Sequence, residues 1–211
     1  MPNLIRWLFD QANNLYRRAT GGSVTGSTIL NLRDTYATRK ADWIAGTVSS
    51  LTNGNVTLNQ WTLGFRQELK NLYINQYALA RGGFNAMTQA DWGRIGRMLR
   101  DQYGYMNNFA ADIATGRLSP KQIEARMQLY FNSSTQAYER GNAVSHGIPA
   151  LPQYPGDGRT VCRANCQCVW DIREDETGWD CFWQLGAAEH CPDCLSNASR
   201  WAPLRIPKVL Q

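Results

Sequence analysis

Residues 161–201 read VCRANCQCVWDIREDETGWDCFWQLGAAEHCPDCLSNASRW, and this stretch holds every cysteine of the 211-residue chain. The six are Cys162, Cys166, Cys168, Cys181, Cys191 and Cys194. Two short runs rich in aromatic and β-branched residues, CVWDI and CFWQL, flank the polar segment REDETG, a pattern typical of a β-hairpin. The stretch therefore predicts a small hairpin with cysteines placed before and after it.

The cysteine spacing predicts a metal site. Two cysteine-bearing turns that flank a hairpin form a zinc ribbon, in which four ligands surround Zn²⁺ and thiolates lie about 2.3 Å from it. The Cys-x-x-Cys turn supplies Cys191 and Cys194. The first turn offers three thiols where two are needed, so either Cys162 with Cys166 or Cys166 with Cys168 completes the set.

Two neighbouring residues have weaker claims to the metal. His190 directly precedes the Cys-x-x-Cys turn and is a candidate substitute ligand. Cys181 lies among aromatic residues and is predicted to be a buried apolar thiol. Reduced cysteines packed without a metal, or disulfides, remain alternatives. We expect structural Zn²⁺, because residues 155–211 are too few to bury much core of their own and zinc contributes on the order of 10 kcal/mol to folding such modules. No signal peptide is expected, so the thiols should stay reduced.

The rest of the chain predicts a mainly α fold. Residues 1–20 predict an amphipathic N-terminal helix, and TGGSVTGS (Thr20–Ser27) a flexible joint. Residues 28–146 predict an α-helical body that brings the total to about five helices, its first helix running from about residue 28 to 51. Three later helix starts are marked by a hydroxyl residue three positions before Gln or Asp, at Thr57, Thr88 and Ser119.

Residues 147–160 contain three prolines and three glycines and predict a linker. Residues 161–211 then form the zinc-ribbon-like module. The predicted architecture is thus a multi-helix body followed by a small cysteine-rich β-hairpin module.

The charge is unevenly distributed. Residues 1–150 carry 16 Lys and Arg against 9 Asp and Glu, whereas residues 151–211 carry 6 against 8. A basic body favours contact with nucleic acid or acidic protein surfaces. The hydrophobic content of 43% suffices for a buried core, and no apolar run approaches the ~20 residues of a membrane span.

Catalysis is not predicted. The chain has two histidines, His146 and His190, and lacks the His-Glu-x-x-His pattern of zinc hydrolases. Glu189 beside His190 is the residue that a zinc hydrolase would use as its base. No glycine-rich phosphate loop follows a strand, so the chain is expected not to be an enzyme.

Two stretches resemble the minor head proteins of tailed bacteriophages, the head-morphogenesis family related to the phage Mu minor head protein. The first runs from Met87 to Gly141 and carries a Gly-x-Leu-Ser-x-x-Gln-Ile-x-x-Arg cadence at Gly116, Leu118, Ser119, Gln122, Ile123 and Arg126. The second is the cysteine-rich tail, and together the two lie within about two thirds of the chain, from Trp61 to Pro203.

The resemblance implies a virion component that acts at the inner capsid or portal in few copies. Its implied partners are the portal and the major capsid protein, with non-specific contact to packaged DNA and no membrane. Its implied location is the virion, and the host cytoplasm during assembly. The alternative is a nucleic-acid-binding zinc protein with a regulatory role, which the acidic hairpin tip REDETG disfavours.

Overall fold

This computed structural model describes residues 7–10, 15–18, 23–38 and 40–208. The described residues are mainly helical and end in a small antiparallel sheet with a cysteine cluster beside it, which confirms the predicted fold class. Within these ranges no helix combines the length and apolar character that crossing a bilayer requires.

The N-terminal segment differs from its prediction. Strands β1 (Trp7–Asp10), β2 (Leu15–Arg18) and β3 (Ser23–Thr25) form an antiparallel sheet in that order. The amphipathic helix predicted over residues 1–20 is therefore wrong for residues 7–10 and 15–18, and its other positions lie outside the described residues. Four-residue segments with two or three apolar positions fit a period of 2 as well as one of 3.6, and Asn13 and Asn14 favour turns.

The predicted Thr20–Ser27 joint is also corrected where the structure describes it. Ser23–Thr25 pairs with β2, and the helical body begins directly after it. Its helices are α1 (Gly26–Thr38), α2 (Ala41–Thr52), α3 (Leu58–Ala80), α4 (Gln89–Ala114), α5 (Pro120–Asn132) and α6 (Thr135–Ser145). The single helix predicted over residues 28–51 is two helices, α1 and α2.

The three predicted helix starts are confirmed. The hydroxyl of Thr57 accepts from the backbone N–H of Gln60, whose side chain accepts from Thr57 N–H. Thr88 with Asp91 at α4 and Ser119 with Gln122 at α5 form the same reciprocal pair. Each pair satisfies two backbone N–H groups that a helix start leaves unbonded.

Aromatic side chains fill the core between α2, α3, α4 and α5. Phe65 packs edge-to-face against Phe131 and Tyr130, with ring centroids 5.5 Å apart in both pairs. Phe109 is fully buried and stacks on Tyr130. Such pairs add about 0.5–1.5 kcal/mol each beyond the apolar area that they bury.

Helices α3 and α6 approach most closely at a glycine. A Cβ placed on Gly141 would lie 2.9 Å from the Cβ of Ala80 and 3.0 Å from the carbonyl oxygen of Tyr77. Because these are closer than ordinary van der Waals contact, the two helices can adopt this spacing only with glycine at this position.

The C-terminal module contains more than the predicted hairpin. Strands β4 (Val169–Glu174) and β5 (Gly178–Gln184) form that hairpin, helix α7 (Pro192–Arg200) follows the Cys-x-x-Cys turn, and β6 (Leu204–Pro207) pairs with β5. Trp170, Trp183 and Trp201 pack together, with ring centroids 5.2 to 5.7 Å apart. The tryptophans form the centre of the module's core.

Part of the predicted linker is buried in the core of the module. Ile148, Leu151 and Tyr154 are buried in the same apolar cluster as Ala143 of α6 and the tryptophans of the module. The Tyr154 hydroxyl accepts a hydrogen bond of 2.7 Å from the backbone N–H of Leu151. Proline and glycine exclude a helix here, as the sequence predicts, but they do not exclude burial.

A buried carboxylate joins the body to the module. Glu139 of α6 accepts from Arg33 Nη1 of α1 at 2.7 Å and from the backbone N–H of Trp170 in β4 at 3.1 Å. Burial of Glu139 outweighs these contacts and raises its pKa to about 6. One side chain thus connects two helices of the body to the first strand of the module.

Candidate metal centre

Two turns bring the cysteines of the module together. Cys162 and Cys166 flank a 3₁₀ turn (Arg163–Asn165), and Cys168 directly precedes β4. Cys191 is the N-cap of α7 and Cys194 lies in its first turn, after Pro192. Proline at the first helical position fixes the backbone where the helix begins, which holds these two thiols on one end of α7.

The sulfur atoms form two groups that share Cys194. Cys162, Cys191 and Cys194 form one, and Cys166, Cys168 and Cys194 form the other, with the sulfurs of each group within 4.8 Å of one another. The Sγ atoms of Cys162 and Cys166 each lie 3.6 Å from that of Cys194, and Cys191 Sγ lies 3.6 Å from Cys162 Sγ. Cys194 is therefore the centre of a five-thiol cluster.

These distances fit a metal better than a disulfide. All six cysteines are free thiols, and 3.6 Å far exceeds the ~2.05 Å of an S–S bond. Thiolates at about 2.3 Å from a tetrahedral ion lie roughly 3.8 Å from one another. Thiolates are soft ligands that suit zinc and other thiophilic metals. The cluster could hold a metal ion.

Hydrogen bonding and burial shift the thiol pKa values. A hydrogen bond between the Cys166 and Cys168 thiols raises the pKa of Cys166 and lowers that of Cys168 to about 5. Burial raises the pKa of Cys194. Burial acts in the same direction on Cys191, but hydrogen bonds from the backbone N–H groups of Cys194 and Cys162 outweigh it and lower its pKa. The cluster thus holds protons that a metal would displace on binding.

Polar contacts around the cluster position its two turns. The Asp193 carboxylate accepts a 2.8 Å hydrogen bond from the backbone N–H of Val161, which ties α7 to the first cysteine turn. The Thr160 hydroxyl lies 3.1 Å from the sulfur of Cys162. A Cβ on Gly186 would lie 2.4 Å from the carbonyl oxygen of Gln167, so glycine allows the chain after β5 to approach the turn before β4. Such outer contacts hold ligands in place in metal sites.

Three other residues considered from the sequence lie outside both groups. His190 is half-buried and is in neither, and Glu189 beside it is exposed. Cys181 is fully buried within β5, as predicted for an apolar thiol, and burial raises its pKa to about 11. Sequence reasoning identified the five clustered cysteines but not the central position of Cys194, which depends on how the two turns fold against each other.

Comparisons with family models, with curated proteins and with solved structures find no match for this chain. The module is therefore characterised by its own residues. They form a three-stranded antiparallel sheet with five cysteines gathered beside it, able to hold a metal ion.

Proposed function

We propose that this chain is a non-enzymatic structural and assembly protein whose C-terminal module is stabilised by one Zn²⁺ ion. The observation that carries the zinc proposal is the sharing of Cys194 by both thiol groups, at 3.6 Å from Cys162 and from Cys166. In small modules with a limited core, such an ion supplies much of the folding free energy.

The proposed ligands are Cys162, Cys166, Cys191 and Cys194. Three sulfur contacts of 3.6 Å join these four in a continuous chain, from Cys191 through Cys162 and Cys194 to Cys166. Cys168 belongs to the second group and is hydrogen-bonded to the Cys166 thiol, and we assign it as a thiol beside the ligands.

Metal content of serine variants tests this ligand set. Protein purified under reducing conditions without added metal should contain about one zinc per chain by elemental mass spectrometry. Cys194→Ser and Cys162→Ser should lose the zinc, and protease resistance of residues 147–208 should fall with it. Cys168→Ser should retain the metal.

Cys181→Ser is the matched control, since Cys181 is as buried as Cys194 but lies outside both groups. It should keep its zinc while losing some stability, because a hydroxyl replaces a buried thiol. Zinc-free wild-type protein that stays protease-resistant, or a Cys194→Ser variant with full zinc content, would refute the structural role of the metal.

The proposed role is that of a minor head protein of a tailed-phage particle, at the inner capsid or portal. The resemblance of residues 87–141 and of the cysteine-rich tail supports it. The contact of Glu139 with both α1 and β4 is compatible with it, since it connects the module to the helical body. Portal and capsid subunits are the proposed partners, with DNA as a non-specific one.

Mass spectrometry of purified particles tests this role. The protein should be present in few copies, and deletion of its gene should give defective heads. Normal heads after deletion, together with absence of the protein from particles, would contradict it. The regulatory DNA-binding alternative is less well supported, because the hairpin tip presents Asp175 in contact with Arg205 and leaves no free arginine there for phosphates.

A further inference from the structure

Three arginines surround a cavity of about 270 Å³ between α4, α6 and residues 149–154. Arg94 and Arg97 belong to α4 and Arg140 to α6, and Tyr154 lines the opposite wall. Asp101 is the single carboxylate in the lining. We call this the arginine cavity. Its positive excess favours a negatively charged occupant.

Arg140 is held in place but lacks a hydrogen-bond partner. Its guanidinium carbon lies 4.3 Å from the centre of the Tyr154 ring, and that ring is fixed by the hydrogen bond from Leu151 N–H. The Nε atom of Arg140 is buried without a hydrogen-bond acceptor. The charge of Arg140 thus lies against a ring and not against a carboxylate, and the terminal nitrogens of its guanidinium are the donors that an oxyanion in the cavity would contact.

The other two arginines add positive charge that neighbouring carboxylates neutralise only in part. Arg97 is exposed and forms no ion pair with any residue in the described ranges. Arg94 lies 3.3 Å from Asp91, but that carboxylate also accepts from Tyr77 and Arg81. Asp101 is mostly exposed and lies 3.9 Å from Arg100. Guanidinium groups have several donors in fixed directions, which suits a tetrahedral oxyanion.

We propose that the arginine cavity binds a phosphate group, with Arg94, Arg97 and Arg140 as its donors. The cavity is smaller than the ~300–1,000 Å³ of typical pockets for whole small molecules, so it fits the phosphate and not the remainder of its carrier.

A second cavity favours a nucleic-acid strand as the source of that phosphate. It adjoins the arginine cavity, about one helical turn towards the C-terminus of α4, at Gln102, and one turn towards the N-terminus of α6, at Gln136. Its lining includes Arg126, Arg159 and Arg163. Tyr105 on its rim is 61% exposed and offers a surface on which a base can stack. From Arg97 to Tyr105 along α4 is about 12 Å, so a short single strand can contact both cavities.

Binding of a fluorescein-labelled single-stranded oligonucleotide to the full-length, zinc-loaded protein tests the proposal by fluorescence anisotropy. Arg97→Gln and Arg140→Gln should each weaken binding about tenfold, as expected for one charge-assisted hydrogen bond, and reduce the salt dependence by about one ion. Arg100→Gln is the matched control, since Arg100 is on the same helix and 77% exposed but does not line the cavity. It should change binding less than about twofold.

Inorganic phosphate is the second probe and distinguishes the two sources. Competition by phosphate together with oligonucleotide binding supports a strand phosphate. Phosphate binding that Arg97→Gln weakens, without oligonucleotide binding, supports the same site with a free phosphate as ligand. Equal effects of all three substitutions, or no binding of either probe, would overturn the proposal. Zinc content is measured in each sample, so that loss of phosphate or oligonucleotide binding can be distinguished from loss of the metal. If Arg140→Gln does not fold, the result for Arg97→Gln alone decides the test.

Discussion

Replacing Gly141 with alanine should destabilise the protein through the contact between α3 and α6. The added Cβ would lie 2.9 Å from the Cβ of Ala80 and 3.0 Å from the carbonyl oxygen of Tyr77. Neither atom can rotate away, because one is attached directly to the backbone and the other is part of it. The helices must separate instead, and inserting a methyl group into a well-packed core costs about 1–3 kcal/mol.

Alanine also has a favourable effect that must be subtracted. Within a helix it is preferred over glycine by about 0.5–1 kcal/mol. We expect the two effects to leave Gly141→Ala less stable than wild type by about 1–2 kcal/mol. Gly64→Ala is the matched control, because Gly64 is exposed on α3 and an added Cβ there meets no atom within 4 Å. This variant should gain about 0.5–1 kcal/mol.

Equilibrium unfolding in urea, followed by tryptophan fluorescence on zinc-loaded protein, measures both variants. The expected result is opposite signs: a lower midpoint for Gly141→Ala and a higher one for Gly64→Ala. If Gly141→Ala were as stable as Gly64→Ala, the close approach of α3 and α6 would not constrain this position, and the reasoning would be refuted.

Three further predictions concern groups in the body. Burial raises the pKa of Glu139 from 4.5 to about 6, so the folded protein binds this proton more tightly than the unfolded chain. The resulting stability is present below pH 4.5 and lost as pH rises through 6. The wild type should therefore lose about 2 kcal/mol of stability between pH 4.5 and 6 that Glu139→Gln does not lose. In urea titrations, the unfolding free energy of Glu139→Gln minus that of the wild type should rise by this amount, and a difference that stays constant with pH would contradict the prediction. Burial raises the pKa of Tyr73 and Tyr77 above 10, so stability should fall as pH rises beyond 10. Tyrosinate absorbance should show these two ionising only with unfolding, and full ionisation in the folded protein near pH 10 would exclude the effect. Thr57→Ala removes the cap of α3 and should cost about 1 kcal/mol by thermal unfolding, whereas an unchanged midpoint would show that the cap contributes nothing.

The helix starts could be predicted because their signals are local. A hydroxyl at Thr57, Thr88 or Ser119 and its partner three residues later complete a hydrogen-bond pair within one turn. The position at which α5 ends was harder to predict from the sequence. The hydroxyls of Ser133 and Ser134 donate to the carbonyl oxygens of Tyr130 and Phe131, and these bonds compete with a continuous helix. The sequence permits either outcome, and packing selects the break.

The features that the sequence did not predict depend on contacts between distant segments. Cys162 and Cys168 were equally suitable partners for Cys166, since spacing alone does not show which of them faces Cys194. The arginine cavity was not predicted either, because Arg140 lies far from Arg94 and Arg97 in sequence and meets them only when α6 packs beside α4. The spacing of Arg94 and Arg97, which puts both on one face of a helix, was the one available signal.

The burial of Ile148, Leu151 and Tyr154 within residues 147–160 also bears on how such a protein can evolve. A zinc module on an exposed tether can be exchanged between proteins by recombination, because few contacts cross the joint. Here Ile148, Leu151 and Tyr154 share a core with Ala143, and Glu139 bonds to the backbone of β4. A recombination crossover near residue 146 would give one product whose α6 exposes an apolar face to solvent. The other product would have a module whose core lacks the residues of α6 that pack against it. The helical body and its metal module are therefore expected to be inherited together and to change in concert.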